Sequence, residues 1–197
     1  MKASRKSSVI LLGLIALFIL SACSPKVSTE DWKVFTISEE PAINIQFRLP
    51  PEWYVDYAPK INVPGQWDVA LVPPRCAEDQ QTDFEDNCIS LTIHLKETSA
   101  FDKPGFLAFA SQSITLNQSG TEKTIMMGQT TSEVDGLTLQ RYNHKFMIGE
   151  DEVQMSFLFF ETDSAYYVFI SELPYDEREG EVAALFDLLI DSIEVID

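Results

Sequence analysis

The segment "YYVFISELPYDEREGEVAALFDLLIDSIEV", residues 166–195, decides the fold because a strand pattern gives way to a helix pattern within it. Its first residues are aromatic or β-branched, which favours a strand at 165–171. From 177 to 193, apolar residues recur at helical spacing, which predicts an amphipathic helix. The inward face of this helix is predicted to consist of Val182, Phe186, Leu189 and Ile193.

Strand patterns dominate the chain before this segment. The most regular is "ISLTIHLKE", residues 89–97, in which apolar and polar side chains alternate, so that one face of the strand is expected to be buried. The polar face of this strand includes His94. The predicted strand runs are 32–37, 42–49, 68–72, 89–97, 123–131, 137–148, 153–161 and 165–171.

The order of the elements predicts an α+β domain. A change of period over residues 103–120 indicates a helix, for which Gly120 is the expected stop. Turn-forming residues such as Asp135-Gly136 separate the later runs and predict an antiparallel meander over 122–171. Strands, one helix, more strands and a closing helix fit an antiparallel sheet with flanking helices in a single domain.

Several of these stretches resemble the PsbP/Mog1-like fold. They are "IQFRLPPEWY" at 45–54, the central helix at 103–120, the hairpins at 137–171 and the closing segment at 166–195. The resemblance covers nearly the whole mature chain and implies an antiparallel sheet with helices packed against its faces, and a closing helix that ends in a short apolar strand. It also implies a non-enzymatic accessory, assembly or binding protein. No active-site motif of the group is matched here, so no residue role carries over.

The amino terminus has the pattern of a bacterial lipoprotein signal peptide. Basic residues at 2–6 precede an apolar stretch from Val9 to Leu20, whose 12 residues are fewer than the roughly 20 that a membrane-spanning helix needs. The sequence Leu20-Ser21-Ala22-Cys23 resembles a lipobox. This resemblance implies cleavage before Cys23, a diacylglycerol on its thiol and a fatty acid such as palmitate on the new amine. An uncleaved short anchor and an ordinary secreted protein with a chance cysteine are the alternatives.

The expected organisation follows from this cut. Residues 1–22 are a cleaved signal peptide, 23–31 are a lipidated tether, and 32–197 form the α+β domain. The expected location is the cell envelope, with the membrane contacted through the lipid anchor. Ser24 after the modified cysteine suits sorting to the outer membrane, facing the periplasm, in a Gram-negative cell.

The composition excludes one class of partner. The chain has a formal net charge of −17, from 14 basic and 31 acidic residues. Removal of residues 1–22 takes away three basic residues and no acidic ones, so the mature charge becomes 11 − 31 = −20. Nucleic-acid binding requires basic surface and is not expected.

Two cysteines remain after lipidation of Cys23. Cys76 and Cys88 bracket a polar loop in an exported chain, which favours a disulfide, with two separate buried thiols as the alternative. Five acidic residues lie in this loop, and calcium favours several carboxylates, but the loop has no glycine and no EF-hand pattern. A solvated acidic loop is therefore favoured over a calcium site, and no cofactor is predicted. The calcium candidates are Glu78, Asp79, Asp83, Glu85 and Asp86.

An enzymatic function is not favoured. The chain has only two histidines, His94 and His144, both on predicted strands and both interpreted as ordinary strand residues, with His94 exposed. No nucleophile elbow, zinc-protease motif or phosphate loop is present.

An aromatic group interleaved with prolines is the remaining candidate site. It could line a groove for a peptide or glycan, or it could be core that seals the sheet edge. The group comprises Trp53, Tyr54, Tyr57 and Trp67. The function that the sequence favours is a membrane-anchored, non-catalytic binding or assembly accessory. An unrecognised envelope enzyme and a calcium-modulated structural or adhesion module are the alternatives.

Overall fold

The computed structural model describes residues 28–37, 40–59, 65–72, 89–98, 102–105, 107, 125–148, 151–174 and 180–196. The chain divides into two compact units, Met1–Glu30 and Asp31–Asp197, and the fold described below is that of the second unit. Within the described ranges, no helix is long and apolar enough to span a bilayer.

The described residues form ten strands and one helix of defined bounds, α1 at Glu181–Asp191. Residues 103–105 and 107 are also helical and lie at the start of the predicted central helix. The strands are β1 Lys33–Thr36, β2 Ile45–Leu49, β3 Tyr54–Pro59, β4 Gln66–Val72, β5 Ile89–Leu95, β6 Ile125–Val134, β7 Leu137–Ile148, β8 Asp151–Glu161, β9 Ala165–Pro174 and β10 Glu194–Val195.

The strands form two antiparallel sheets. The larger has the order β3-β4-β5-β9-β8-β7-β6, and the smaller has the order β1-β2-β10. Strands β6 to β9 form the predicted meander, and β9 then pairs with β5 in the middle of the large sheet. The connection from β5 to β6 therefore crosses from the centre of the sheet to its far edge. The α+β class and the antiparallel architecture predicted from the sequence are confirmed.

Strand β3 was not predicted. No strand run was predicted between 49 and 68, yet β3 pairs with β4 from Tyr54↔Val72 to Pro59↔Trp67. Its sequence, YVDYAP, has no clear apolar alternation because β3 is an edge strand and has a paired neighbour on one side only. The pattern that identifies a half-buried strand is therefore absent.

The central strands of the large sheet are buried on both faces. Residues 155–160 of β8 and 165–169 of β9 are all buried. One face, here called the His94 face, carries Phe157, Phe159, Tyr166 and Val168, and Leu107 of the helical segment packs against it. The opposite face, here called the Phe160 face, carries Phe160, Tyr167 and Phe169, whose rings stack in part on one another.

The small sheet and α1 belong to the Phe160 face. The ring of Phe47 in β2 meets Phe169 edge-on, with the centroids 5.3 Å apart. The Arg141 guanidinium of β7 lies 5.3 Å from the Phe186 ring of α1 and pairs with the Asp187 carboxylate. The helix α1 and the small sheet therefore exclude water from the Phe160 face of the large sheet.

The end of α1 is fixed to β2. The Ser192 hydroxyl donates to the Leu189 carbonyl at 2.7 Å and accepts from the Arg48 backbone N–H at 2.8 Å. The helix ends at Asp191, so Ile193 belongs to the turn that follows, but all four predicted inward residues are buried. The short strand that the family resemblance implied after this helix is β10, which pairs with β2.

Candidate functional site

Several residues singled out from the sequence lie outside the described residues. They are the lipidation candidate Cys23, the disulfide candidates Cys76 and Cys88, and the acidic loop residues Glu78, Asp79, Asp83, Glu85 and Asp86. Among the residues that the structure describes, no group of three or more histidine, cysteine or acidic side chains is placed to hold a metal ion.

The described members of the predicted aromatic group do not share one surface. Trp53 is buried, Tyr54 is 54% exposed, and Trp67 is half-buried. Tyr54 pairs with Val72 and Trp67 with Pro59, so the strict alternation of side chains along β3 and β4 puts Tyr54 and Trp67 on opposite faces of the sheet. Of Tyr57 only the backbone is described.

His94 is buried, not exposed as the sequence predicted, with only 1% of its surface accessible. It faces Gln66 of β4 and Tyr166 of β9 across the ladders, and its Nδ1 lies 3.5 Å from the Leu95 carbonyl. Burial lowers the pKa of His94, and the backbone hydrogen bond to Leu95 opposes this effect without reversing it. The imidazole is therefore neutral at pH 7. The prediction failed because a polar residue on a central strand is covered when both faces of the sheet are covered.

A row of polar side chains continues from His94 across β4 and β5. The Gln66 amide donates to Asp68 Oδ1 at 3.2 Å, and the Thr92 hydroxyl donates to the same oxygen at 3.3 Å. Gln66 is itself buried. These hydrogen bonds offset the loss of water around the Asp68 carboxylate and give the row a structural role.

The two histidines do not form a catalytic pair. His144 lies on β7, half-buried, with its ring edge-on to Phe157 at 5.6 Å between centroids. Burial lowers the pKa of His144 as well. Strands β9 and β8 separate β5 from β7, so the two side chains are three strand spacings apart, or about 14 Å across the sheet. The register adds six residues, or about 20 Å, along the strands, because Tyr166 opposite His94 faces Glu161, whereas His144 faces Met155. Proton transfer between them is excluded at that distance.

A cluster of one glutamate and two lysines lies on the same face. Glu161 at the end of β8 accepts from Lys96 Nζ at 2.8 Å and from Lys103 Nζ at 2.6 Å. Lys96 also donates to the Thr162 carbonyl at 2.6 Å. Lys103 starts the helical segment, so the cluster attaches that segment to β8. The lysines are 58 and 65 positions from Glu161, and only the fold brings them together.

Aromatic rings support this cluster. Lys96 Nζ lies 4.9 Å from the Tyr166 ring centroid, and Lys103 Nζ lies 5.4 Å from that of Phe159. Partial burial by itself would raise the pKa of Glu161, but the hydrogen bonds and charges of Lys103 and Lys96 outweigh it and hold the pKa below its ordinary value. The carboxylate is therefore ionised at neutral pH, and the cluster carries one net positive charge.

The free edge of the large sheet at β6 is the most accessible strand in the described structure. Residues 129–133 are exposed on both faces, and Ile125 and Met127 are 56% and 45% exposed. The strand is ten residues long and contains no lysine, arginine or proline, the residues that usually protect edges. We call residues 125–134 the β6 edge. In the part of the chain that the structure describes, no strand pairs with the outer side of β6, so its backbone groups there are a template for another strand.

The turn that follows fixes which backbone groups of the β6 edge are free. Asp135 and Gly136 have φ values of 47° and 78° and form a two-residue hairpin loop, with Val134 paired to Leu137. The pair that flanks such a loop is hydrogen-bonded, and the pairs then alternate along the ladder. The backbone N–H and C=O groups of Gln129, Thr131 and Glu133 therefore point away from β7, to the outer side of the β6 edge.

Comparison with known proteins gives a fold but no family. No protein-family model matches the sequence, and the search of curated proteins found no match. Among solved structures, the cyanobacterial PsbP protein of Synechocystis is similar, with a TM-score of 0.56 and 14% identity over 90% of this chain and 99% of that one. The fold is PsbP/Mog1-like.

Two further structures are more distant. The Ran-binding protein Mog1p of Saccharomyces cerevisiae has a TM-score of 0.47 and 13% identity over 85% of this chain and 96% of its own. LpqN of Mycobacterium tuberculosis, described as involved in cell envelope biogenesis, has a TM-score of 0.44 and 10% identity over 85% and 93%. At these scores neither carries an argument about this protein.

The burial of His94 predicts acid sensitivity. Above its ordinary pKa of 6.5, His94 is neutral in both folded and unfolded chains. Below that value the unfolded chain takes up the proton first. The free energy of unfolding therefore decreases as the pH is lowered, by at most about 1.4 kcal/mol per pH unit for one proton. Urea unfolding between pH 7.5 and 5.5 should therefore show a shallower slope in His94→Gln than in the unsubstituted protein. An unchanged slope would contradict the prediction, whatever the absolute stability of the variant.

The lysine cluster predicts unequal effects of two similar substitutions. Glu161→Gln removes the charge that two lysines share and should lower the free energy of unfolding by about 1 kcal/mol, a value reduced by partial exposure. Glu152→Gln is the matched control, because Glu152 is more exposed and, among the described residues, pairs with the single lysine Lys145, at 2.6 Å. It should cost at most about 0.5 kcal/mol. If urea unfolding at pH 7 gives equal decreases in the free energy of unfolding for the two variants, the second lysine adds no stability to the cluster.

Proposed function

We propose that this protein is a lipid-anchored, non-catalytic binding module of the cell envelope, and that it takes up a strand of a protein partner on its β6 edge. The observation that carries the proposal is an edge strand of ten residues that is exposed on both faces at 129–133 and contains no lysine, arginine or proline to protect it against pairing. Glu133 is the one charged side chain in it.

The envelope location rests on the amino terminus. The sequence Leu20-Ser21-Ala22-Cys23 supplies the cleavage and lipidation site, and the tether at 23–31 reaches at most about 30 Å when fully extended. The domain thus stays near the bilayer. Its net negative charge keeps it from binding anionic headgroups directly, so the acyl chains are the membrane contact. A disulfide between Cys76 and Cys88 belongs to the same proposal, because the exported domain is in an oxidising compartment.

The non-catalytic part rests on how the titratable groups are distributed. His94 is neutral and enclosed in the sheet, and His144 lies against Phe157 about three strands away. Asp68 and Glu161 are each bound by two donors of the protein itself. Asp68 and Glu161 thus hold elements of the fold together and the two imidazoles are packed within the sheet, an arrangement that favours binding over catalysis.

Strand addition suits the rest of the surface. Main-chain hydrogen bonds supply affinity in this mode, and the side chains that flank them supply selectivity. The side chains at 129–132 are Gln, Thr, Thr and Ser, which offer hydrogen bonds without charge. An incoming strand therefore meets no charge along 129–132, and Glu133 is the one charged side chain on the β6 edge.

The lipid anchor is tested by mass spectrometry of the protein isolated from membranes of its own host. We expect a polypeptide that begins at Cys23 and carries a diacylglyceryl group on the sulfur. Cys23→Ala should abolish the modification and release the chain from the membrane fraction, while Ser24→Ala should remain attached. An intact leader, or an unmodified sulfur in the membrane-bound protein, would contradict the proposal.

The role of the β6 edge is tested with two substitutions of one residue. Thr131→Pro removes an outward N–H without breaking the ladder to β7, and edge strands tolerate proline. Thr131→Val keeps the N–H and is the matched control. The measurement is the yield of the covalent adduct between this protein and its partner in cells that are cross-linked before detergent extraction. Thr131→Pro should lower this yield by about tenfold, equivalent to about 1.4 kcal/mol of binding free energy. Thr131→Val should leave it unchanged. Equal yields from both variants, each shown to be folded by circular dichroism, would refute strand addition at this edge.

A further inference from the structure

We propose that the strand received by the β6 edge is the β6 edge of a second copy of this chain, so that two domains form one continuous sheet about a twofold axis. This inference rests on the proposed function and names its partner. It is drawn from the direction of the free backbone groups, the charge of the hairpin and the side chains that a twofold register brings together.

The backbone fixes the range of pairing. A register shift between Met126 and Gly128 marks a bulge, and bulges terminate or bend a ladder. The regular part of the β6 edge is therefore residues 128–134. Within it, the outward N–H and C=O groups belong to Gln129, Thr131 and Glu133. Since these residues are evenly spaced about Thr131, two antiparallel copies match when Thr131 faces Thr131.

The side chains agree with this register. Gln129 of one copy then faces Glu133 of the other, and its amide can donate to that carboxylate on both sides of the axis. Glu133 is exposed and already accepts from the Thr138 hydroxyl at 2.8 Å, which orients it. The pairing of threonine with threonine at the centre is a favourable cross-strand contact. The two Glu133 carboxylates stand about 14 Å apart, four residues along the ladder, which is beyond the Debye length at physiological salt.

Charge favours this hairpin as the contact between copies. After the proposed cleavage the chain carries a net charge of 11 − 31 = −20, so two copies repel one another overall. The segment from β6 to β7, residues 125–148, contains Glu133, Asp135, Arg141 and Lys145 and is neutral as a whole. It is therefore a region where a second copy approaches without net repulsion. Anchoring in one bilayer also raises the local concentration of copies, which favours weak self-association.

The register is tested by a charge swap in the full lipidated chain, purified in detergent and examined by sedimentation equilibrium. Gln129→Glu places a glutamate opposite Glu133 on both sides of the axis and should raise the dimer dissociation constant about tenfold, because like charges across a ladder repel. The double variant Gln129→Glu with Glu133→Gln restores an amide opposite a carboxylate and should return the constant to within about threefold of the unsubstituted chain.

A disulfide provides an independent readout. Thr131→Cys should form an intermolecular disulfide under mild oxidation, because paired Cα atoms lie about 5.5 Å apart. Thr138→Cys is the control: it is exposed too, but it lies on β7, one strand inside the edge, and should not cross-link.

The outcomes separate this inference from the function on which it rests. A dimer whose dissociation constant is unaffected by Gln129→Glu, or a chain that stays monomeric up to about 100 µM, would overturn the self-pairing. If the chain is monomeric and Thr131→Pro still abolishes cross-linking to a different protein in cells, the strand-addition function stands and its partner is that other protein. If Thr131→Pro retains both the dimer and the cross-link to another protein, the self-pairing and the strand-addition function are both overturned.

Discussion

The burial of β8 and β9 on both faces is the constraint on which the rest of the structure depends. Phe157 and Phe159 point to one side of the sheet and Leu158 and Phe160 to the other, and all four are buried. Each phenylalanine so buried contributes about 1.5–3 kcal/mol relative to exposure. Exposure of either face to water would be unfavourable. The helical segment that begins at Lys103 is therefore needed on the His94 face, and α1 with the small sheet is needed on the Phe160 face. Among the described residues of β6, 129–133 are exposed on both faces.

This constraint explains which features of the fold could be predicted from the sequence. Where one face is buried, as along 89–97 and in α1, apolar residues follow the period of the element and its type is predicted correctly. At the β3 edge this signal disappears, because β3 lacks an apolar face. In the centre it is also altered, because a polar residue such as His94 is enclosed when the second face is covered. The alternation of residues along one strand shows which side chains share a face of the sheet. It does not show which other element packs on that face.

The candidate site was less predictable than the fold for a related reason. The cluster of Lys96, Lys103 and Glu161 joins residues that are far apart in sequence, and no local spacing reveals it. The aromatic residues Tyr54 and Trp67 are close in sequence and looked like one surface, yet the register of β3 and β4 separates them. The β6 edge was recognised as a strand, but its position at the margin of the sheet depends on the crossing from β5 to β6, which is a property of the topology.

The small sheet has a consequence for how the protein reaches its folded state. It pairs β2 with β10, and Gln46 donates to Glu194 at 2.7 Å across 148 positions of sequence, so both ends of the domain must be present before this layer can close. Contacts of such high contact order form slowly and late. A chain synthesised from its amino terminus thus keeps part of its core open until its last residues have emerged. For a polypeptide that carries the proposed export signal, this delay lengthens the time during which it can still be threaded through a translocation channel.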